Sequence, residues 1–285
     1  MQLKKATRKQ VKLRMGLSAV SGAGKTYSAL LLAHGITNDW SKIAVIDTEN
    51  GSASLYSHLG EFNTIELKAP YSPERYIECI KACEQGGIEV CIIDSITHEW
   101  DGKGGIIDIS NSMTGNSFTN WAKLTPRHDA FIQSMLQSDM HIITCVRRKQ
   151  DYEMTKGSDG KLKVEKAGLK EITRDGFEYE LTLNFNLDLN HNATVSKDRT
   201  GLFVDKPEFV ITQDTGRLIK QWCDSGEAAS ISELEQLKLD LKAADTIDKL
   251  GAVYMATTPE YRKLTLALKD ELKLKLSGNL QNQNS

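Results

Sequence analysis

No apolar run in this chain approaches the roughly 18 residues that a membrane-spanning helix needs, so no membrane partner is expected. Cysteine is sparse. Cys79, Cys83, Cys91, Cys145 and Cys223 form no CxxC pair of the kind that holds zinc. Cys79 and Cys83 share a helical spacing, but plain thiols in a reducing compartment are the simpler reading. An excess of one charge is lacking too. A formal net charge of −2 and a pI near 6.3 exclude a uniformly basic nucleic-acid binder and leave room for a local basic groove. The opening MQLKKATRKQ is basic without an apolar h-region, so it does not read as a secretory leader, and a cytoplasmic protein is expected. No long internal repeat breaks the chain into modules.

What is present is alternation. With 285 residues, 40% hydrophobic and 26% charged, the chain suffices for one large α/β domain and a small appendage. KLRMGLS reads as a strand, TYSALLLAHG as a helix closed by Gly35, and KIAVIDTE as a strand buried on both faces. TIELKA is a third, shorter strand. A helix follows with Ser72 at its N-cap, Pro73 at its first position, and Gly86 and Gly87 at its end. IEVCIIDS is the next buried strand. Gly102 to Ser117 looks too rich in glycine and serine for a regular element, and a helix from Thr119 to Gln137 leads into the strand HIITCV. This order predicts a doubly wound, mainly parallel sheet. Past a polar stretch from Asp151 to Asp175, FEYELTLNFNLDL and NATVSKDR alternate with period two around Asn190-His191, the pattern of an antiparallel extension. TGRLIKQWC is a short helix. The expected domains are residues 1–225 as the core, 226–276 as a helical region and 277–285 as a disordered tail. In the helical region, Ser232 and Glu235 have capping-box spacing, and Thr258-Pro259-Glu260 opens the final helix.

The chemistry starts at residues 19 to 26, AVSGAGKT, which fit the phosphate loop G-x-x-x-x-G-K-[ST] with Ala19 in place of the first glycine. Ser21, Gly22, Ala23, Gly24, Lys25, Thr26 and Tyr27 would form the cradle. Glycines at 22 and 24 free backbone N–H groups to curl around phosphate oxygens, and the helix N-terminus beneath adds its dipole. Lys25 supplies a cation for the β and γ phosphates, and Thr26 a hydroxyl for Mg²⁺. ATP and Mg²⁺ are therefore the expected cofactors. VCIIDS carries an apolar strand ending at Asp94, placed to bind that magnesium through water. Strands beside a phosphate loop end near the γ-phosphate, so Glu49 in VIDTEN can polarise the attacking water. The alternative is that Asp47 and Glu49 cap the next helix.

VIDTEN followed by IIDSIT resembles the paired motifs of the RecA/RadA recombinase core, in which a glutamate after the strand is catalytic. From KKATRKQ through SGAGKTYSAL, IDTENGSASLY, YSPERYIE, IIDSITHEW, GNSF and EYELTLNFNLD to SKDRTG, residues 4 to 223 resemble phage-encoded RecA-like ATPases of the AAA family. Some members of that group are associated with recombination and single-strand annealing. The resemblance implies a RecA-like P-loop core with a small C-terminal helical region, ATP hydrolysis to ADP and phosphate, and homo-oligomers in rings or filaments. It also implies single-stranded DNA near the loops 102–117 and 149–168. A recombination or single-strand-binding protein would be a further partner, in the bacterial host cytoplasm. One departure stands out: the asparagine-glutamine switch after the fourth strand is replaced by Thr144 and Cys145, followed by Arg147, Arg148 and Lys149.

From His141 to Arg174 there are nine basic side chains against five acidic ones. Arg147, Arg148 and Lys149 are the candidate DNA contacts, with Trp100 and Tyr152 as stacking candidates. A solvated charged loop, with both aromatics in the core, is the competing reading. In the family resembled, basic residues on a later strand reach a neighbour's nucleotide. VSKDRTG offers Lys197 and Arg199 for that role, unless both merely line a hairpin edge. The rival function is an ATP-dependent assembly factor or protein-recruiting switch that touches no DNA.

Overall fold

The apolar strands converge because each is too short and too buried to stand alone, and one sheet collects them all. A computed structural model describes residues 10–156, 162–226 and 233–282, without the side chains of 152–156, 162–167, 233–235, 259–260 and 278–282. Met1–Glu227 and Ala228–Ser285 form two compact units. In the first, the chain runs β1 (Arg14–Ala19), α1 (Lys25–Thr37), β2 (Ile43–Asp47), β3 (Asn63–Glu66), α2 (Pro73–Gln85) and β4 (Val90–Asp94). There follow α3 (Thr97–Asp101), α4 (Ile106–Ser112), α5 (Ser117–Gln137), β5 (His141–Lys156) and β6 (Leu162–Glu171). The unit closes with β7 (Leu183–Leu187), β8 (Asn192–Asp198), β9 (Phe209–Val210) and α6 (Gln213–Asp224).

The sheet has nine strands in the order β3-β2-β4-β5-β1-β7-β8-β9, with β6 paired to β5 outside that path. From β3 to β7 the pairs are parallel, and β7–β8, β8–β9 and β5–β6 are antiparallel. Alternation along each strand sorts side chains to two faces. Leu17, Ala19, Val45, Ile92, Cys145 and Phe185 pack with α1 and α6. Ile46, Ile93, Ile142 and Val146 pack on the other face with α2 and α5. A mostly parallel sheet with helices on both faces is the doubly wound P-loop architecture expected.

Several expectations need correction. Gly35 does not end α1, which runs on to a left-handed Asn38 with φ 52°. A Cβ at Gly35 would stand 2.1 Å from the Gln213 carbonyl oxygen and 2.8 Å from the Gly216 Cα, so this glycine lets α1 and α6 touch backbone to backbone. The 102–117 segment is not wholly irregular, since α4 forms there, anchored by the fully buried Ile106. The stretch after HIITCV is not a loop. β5 continues past the sheet and pairs with β6 as a two-stranded arm, Arg148 opposite Glu171 and Lys156 opposite Leu162. Ladder hydrogen bonds hold such an arm without a hydrophobic run, which is why periodicity missed it.

In the second unit, α7 (Glu233–Ala243), α8 (Ile247–Met255) and α9 (Pro259–Asn282) close around Leu237, Leu241 and Leu250. Ser232 and the Glu235 side chain lie outside the described residues. The polar tail was expected to be disordered from residue 277. Instead α9 holds through Asn282, helped by Leu276 packing on the small core, and residues 283–285 lie outside the described ones. Among the described residues no helix is long and apolar enough to cross a membrane.

Candidate functional site

At the C-terminal edge of the parallel strands, β1 turns through residues 20–24 into α1. Gly22 and Gly24 take the left-handed conformation, with φ 84° and 86°, that their places in the loop demand. Ala19 does not: it is the last residue of β1, wholly buried in the core beneath the loop. A methyl there fills space, and the missing glycine costs the loop nothing. The Lys25 ammonium crosses the loop mouth onto the carbonyl oxygens of Val20, at 3.0 Å, and Ala19, at 3.3 Å.

Asp94 ends β4 opposite Asp47 of β2. Its Oδ2 accepts the Thr26 hydroxyl at 2.5 Å, and its Oδ1 is buried without a hydrogen-bond partner. Burial pushes the Asp94 carboxyl up to about 6, against the Thr26 bond and with help from nearby Glu49. An unpartnered buried carboxylate oxygen beside a hydroxyl is a donor set suited to Mg²⁺. Among the described residues there is no group of three or more His, Cys, Asp or Glu side chains able to hold a metal. A magnesium ion would therefore take its remaining ligands from phosphate and water.

The two acids at the end of β2, Asp47 and Glu49, separate in role. Asp47 accepts from the backbone N–H groups of Glu49, at 2.6 Å, and Ala53, at 2.8 Å, and so caps the turn that follows. The Glu49 side chain does not cap. Its Oε1 receives Nε of Arg147 at 2.8 Å and Nη2 of the same residue at 2.7 Å. Arg147, expected among the DNA contacts, is thus paired with Glu49, a residue that lines the phosphate-loop cavity. Arg148 bonds the Leu169 carbonyl at 2.8 Å, and Lys149 is exposed.

Lys25, Thr26, Glu49 and Asp94 line one cavity of about 490 Å³. Its far walls carry Tyr56 and His191, with the Tyr27 and Tyr56 rings 5.8 Å apart. Sequence reasoning missed His191. It sits at the β7–β8 turn with φ 66°, and its Nδ1 would lie 2.9 Å from a Cβ at Gly24. The only sequence signal was the turn-like Asn190-His191 pair.

The match to known families falls on this same stretch: residues 11–215 fit the family model described as AAA domain. The chain belongs to the AAA domain family. The AAA domain therefore covers the sheet, the phosphate loop and the start of α6, and it is a nucleotide-binding, ATPase-type domain. No curated protein matches the chain. Within the AAA domain, Lys197 and Arg199 stand apart from the phosphate loop. Lys197 pairs with Asn184, toward the opposite end of β7, and donates to the Glu178 and Tyr179 carbonyls at 2.6 Å each. Arg199 donates to Tyr179 at 3.1 Å.

Trp100 and Trp121 lie 5.8 Å apart beside Lys149, Lys170 and Arg174, lining an open groove of about 600 Å³ at the root of the arm. Trp121, its ring tilted 32° to that of Trp100, is an aromatic that the sequence reading did not single out. The side chains of Tyr152, Lys156, Lys161, Lys163 and Lys166 lie outside the described residues.

Proposed function

We propose that this AAA domain binds ATP with Mg²⁺ and hydrolyses it to ADP and phosphate. The observation that carries the proposal is the convergence of Lys25, Thr26, Asp94 and Glu49 on one cavity at the strand ends. The loop amides and Lys25 would hold the phosphates, and Thr26 and Asp94 would hold a magnesium ion, which when bound would supply neutralisation of phosphate charge. Glu49 orients and polarises the attacking water. A Michaelis complex in which the nucleotide binds tightly without magnesium and Asp94→Asn leaves turnover intact would overturn this assignment.

The finer reading is an oligomeric ATPase acting on single-stranded DNA in phage-type recombination or replication. Its supports are the family resemblance, the paired tryptophans and the exposed Lys149. Base stacking on aromatics with nearby cations is sequence-tolerant recognition of single strands. A protein-recruiting switch is the second reading, favoured by the exposed Leu239, Met255, Leu264 and Leu274 of the C-terminal unit. Binding of a labelled single strand across a salt series, with and without a non-hydrolysable ATP analogue, separates them. Nucleotide-dependent affinity that falls steeply with salt supports the DNA-acting ATPase. No affinity at low salt supports the switch.

A further inference from the structure

Arg147 is placed for a task that neither the phosphate loop nor the DNA reading accounts for. β5 lies between β4 and β1, with Cys145 opposite Asp94 and Arg147 opposite Ala19. Alternation puts Arg147 on the same face as Cys145, Ile92 and Leu17, which is the face that carries α1 and the phosphate loop. Its guanidinium therefore reaches Glu49 from the strand between the loop and Asp94. There it gives two donors to a single oxygen of Glu49.

The backbone of Arg147 is held as firmly as its side chain. Its N–H donates to the Thr97 hydroxyl at 2.9 Å, and its carbonyl accepts from Ile172 at 2.8 Å. Residue 147 is thus the junction at which the parallel sheet gives way to the β5–β6 arm. On the Glu49 side, Thr48 is locked in turn. Its hydroxyl oxygen accepts from the Ser95 N–H at 2.8 Å and lies 2.8 Å from His98 Nδ1. Glu49 leaves a fixed strand end, and one side chain from across the sheet aims its carboxylate.

We propose that Arg147 is the positioning residue of the hydrolytic site, acting in cis by holding the Glu49 carboxylate in the orientation that polarises water. The proposal rests on the hydrolytic reading given above. The guanidinium fork fixes a carboxylate by direction as well as charge, which a lysine cannot reproduce. A misaimed catalytic group costs about 10²-fold in rate.

The test is a double-mutant cycle on the full chain, read as ATP affinity and as single-turnover hydrolysis with enzyme in excess. Arg147→Ala should lower the hydrolytic rate by about 10²-fold while leaving nucleotide affinity within a few-fold. Arg147→Lys should fall almost as far. In a Glu49→Gln background, Arg147→Ala should change the residual rate by no more than about twofold, because the residue it aims is already disabled. Retained nucleotide binding certifies each variant as folded; if Arg147→Ala fails that check, Arg147→Lys and Arg147→Gln carry the cycle. A full further loss in the Glu49→Gln background would overturn the proposal and mean that Arg147 acts on the phosphate directly. An unchanged rate in the single variant would also overturn it. A wild type that binds ATP and never hydrolyses it is a different result, and it defeats the hydrolytic reading itself.

Discussion

At the scale of single residues, the burial of the Asp94 carboxyl can be weighed. It holds its proton up to about 6 in the folded protein, against about 3.9 in an unfolded chain. The native state therefore binds more protons than the unfolded state across that window, and stability falls as pH rises through it. Above the window the cost is about 3 kcal/mol. Asp94→Asn removes it. The nucleotide-free variant should melt several degrees above wild type at pH 7.5, at about 2–4 °C per kcal/mol, and the gap should close below about pH 4. The same variant should lose magnesium-dependent turnover. Equal melting temperatures at both pH values would show that the burial cost is not felt. Two neighbours give simpler outcomes. Lys25→Ala should abolish tight ATP binding, and Glu49→Gln should retain binding while hydrolysis drops. These residues were legible in the sequence because the loop is contiguous and Asp94 ends an obvious strand. The partner of Glu49 was not legible. Arg147 lies 98 positions away and meets Glu49 only because β5 inserts between β4 and β1.

At the scale of elements, the contact of α1 with α6 is a glycine contact. Gly35→Ala pushes a methyl into the Gln213 carbonyl and the Gly216 backbone, so the helices must separate. Overpacking of this kind costs about 1–3 kcal/mol. Gly251→Ala on α8 meets nothing within 4 Å and should instead stabilise the C-terminal unit, by roughly 0.5–1 kcal/mol from helix propensity. Denaturant unfolding followed separately for the two units checks both signs; a neutral Gly35→Ala would mean that the helices slide apart at no cost. Glycine in a helical pattern reads in a sequence as a stop, because nothing local reveals the neighbour it admits. The arm was hidden for the converse reason. The sequences of its two strands lack the hydrophobic alternation that marks a half-buried sheet. If the arm is a nucleic-acid surface, Arg148→Ala with Lys149→Ala should weaken single-strand binding and flatten its salt dependence, with ATP affinity unchanged. Trp121→Ala should weaken it at every salt concentration, because stacking releases no counterions. A wild-type affinity in both variants would remove the arm from the binding surface.

At the scale of the whole molecule, the doubly wound, mainly parallel sheet was legible in the sequence, whereas the strand order was not; the sheet follows from features that sequence reasoning handles well. These are buried apolar strands and the helices between them. Among the described residues, the cations weighed for the outer side of the γ-phosphate are engaged elsewhere. Arg147 is engaged with Glu49, and Lys42 is at the far edge of the sheet, 3.3 Å from the Gly87 carbonyl. Lys197 and Arg199 also lie away from their own phosphate loop, held on the 178–179 carbonyls. If they contribute to hydrolysis, it is to the nucleotide of a neighbouring copy. A cation delivered in trans can raise the rate by about three to five orders of magnitude. Two inactive variants test this when mixed: Lys25→Ala lacks a working loop, and Lys197→Ala/Arg199→Ala lacks the proposed finger. Interfaces that join an intact loop to an intact finger should restore part of the ATPase activity. The finger variant alone should still bind ATP, which separates loss of the trans contact from loss of the 178–179 turn. Absence of recovery despite demonstrated co-assembly, or full activity of the wild type as a dilute monomer, would leave Lys197 and Arg199 as edge residues that tie β8 to the turn beside it.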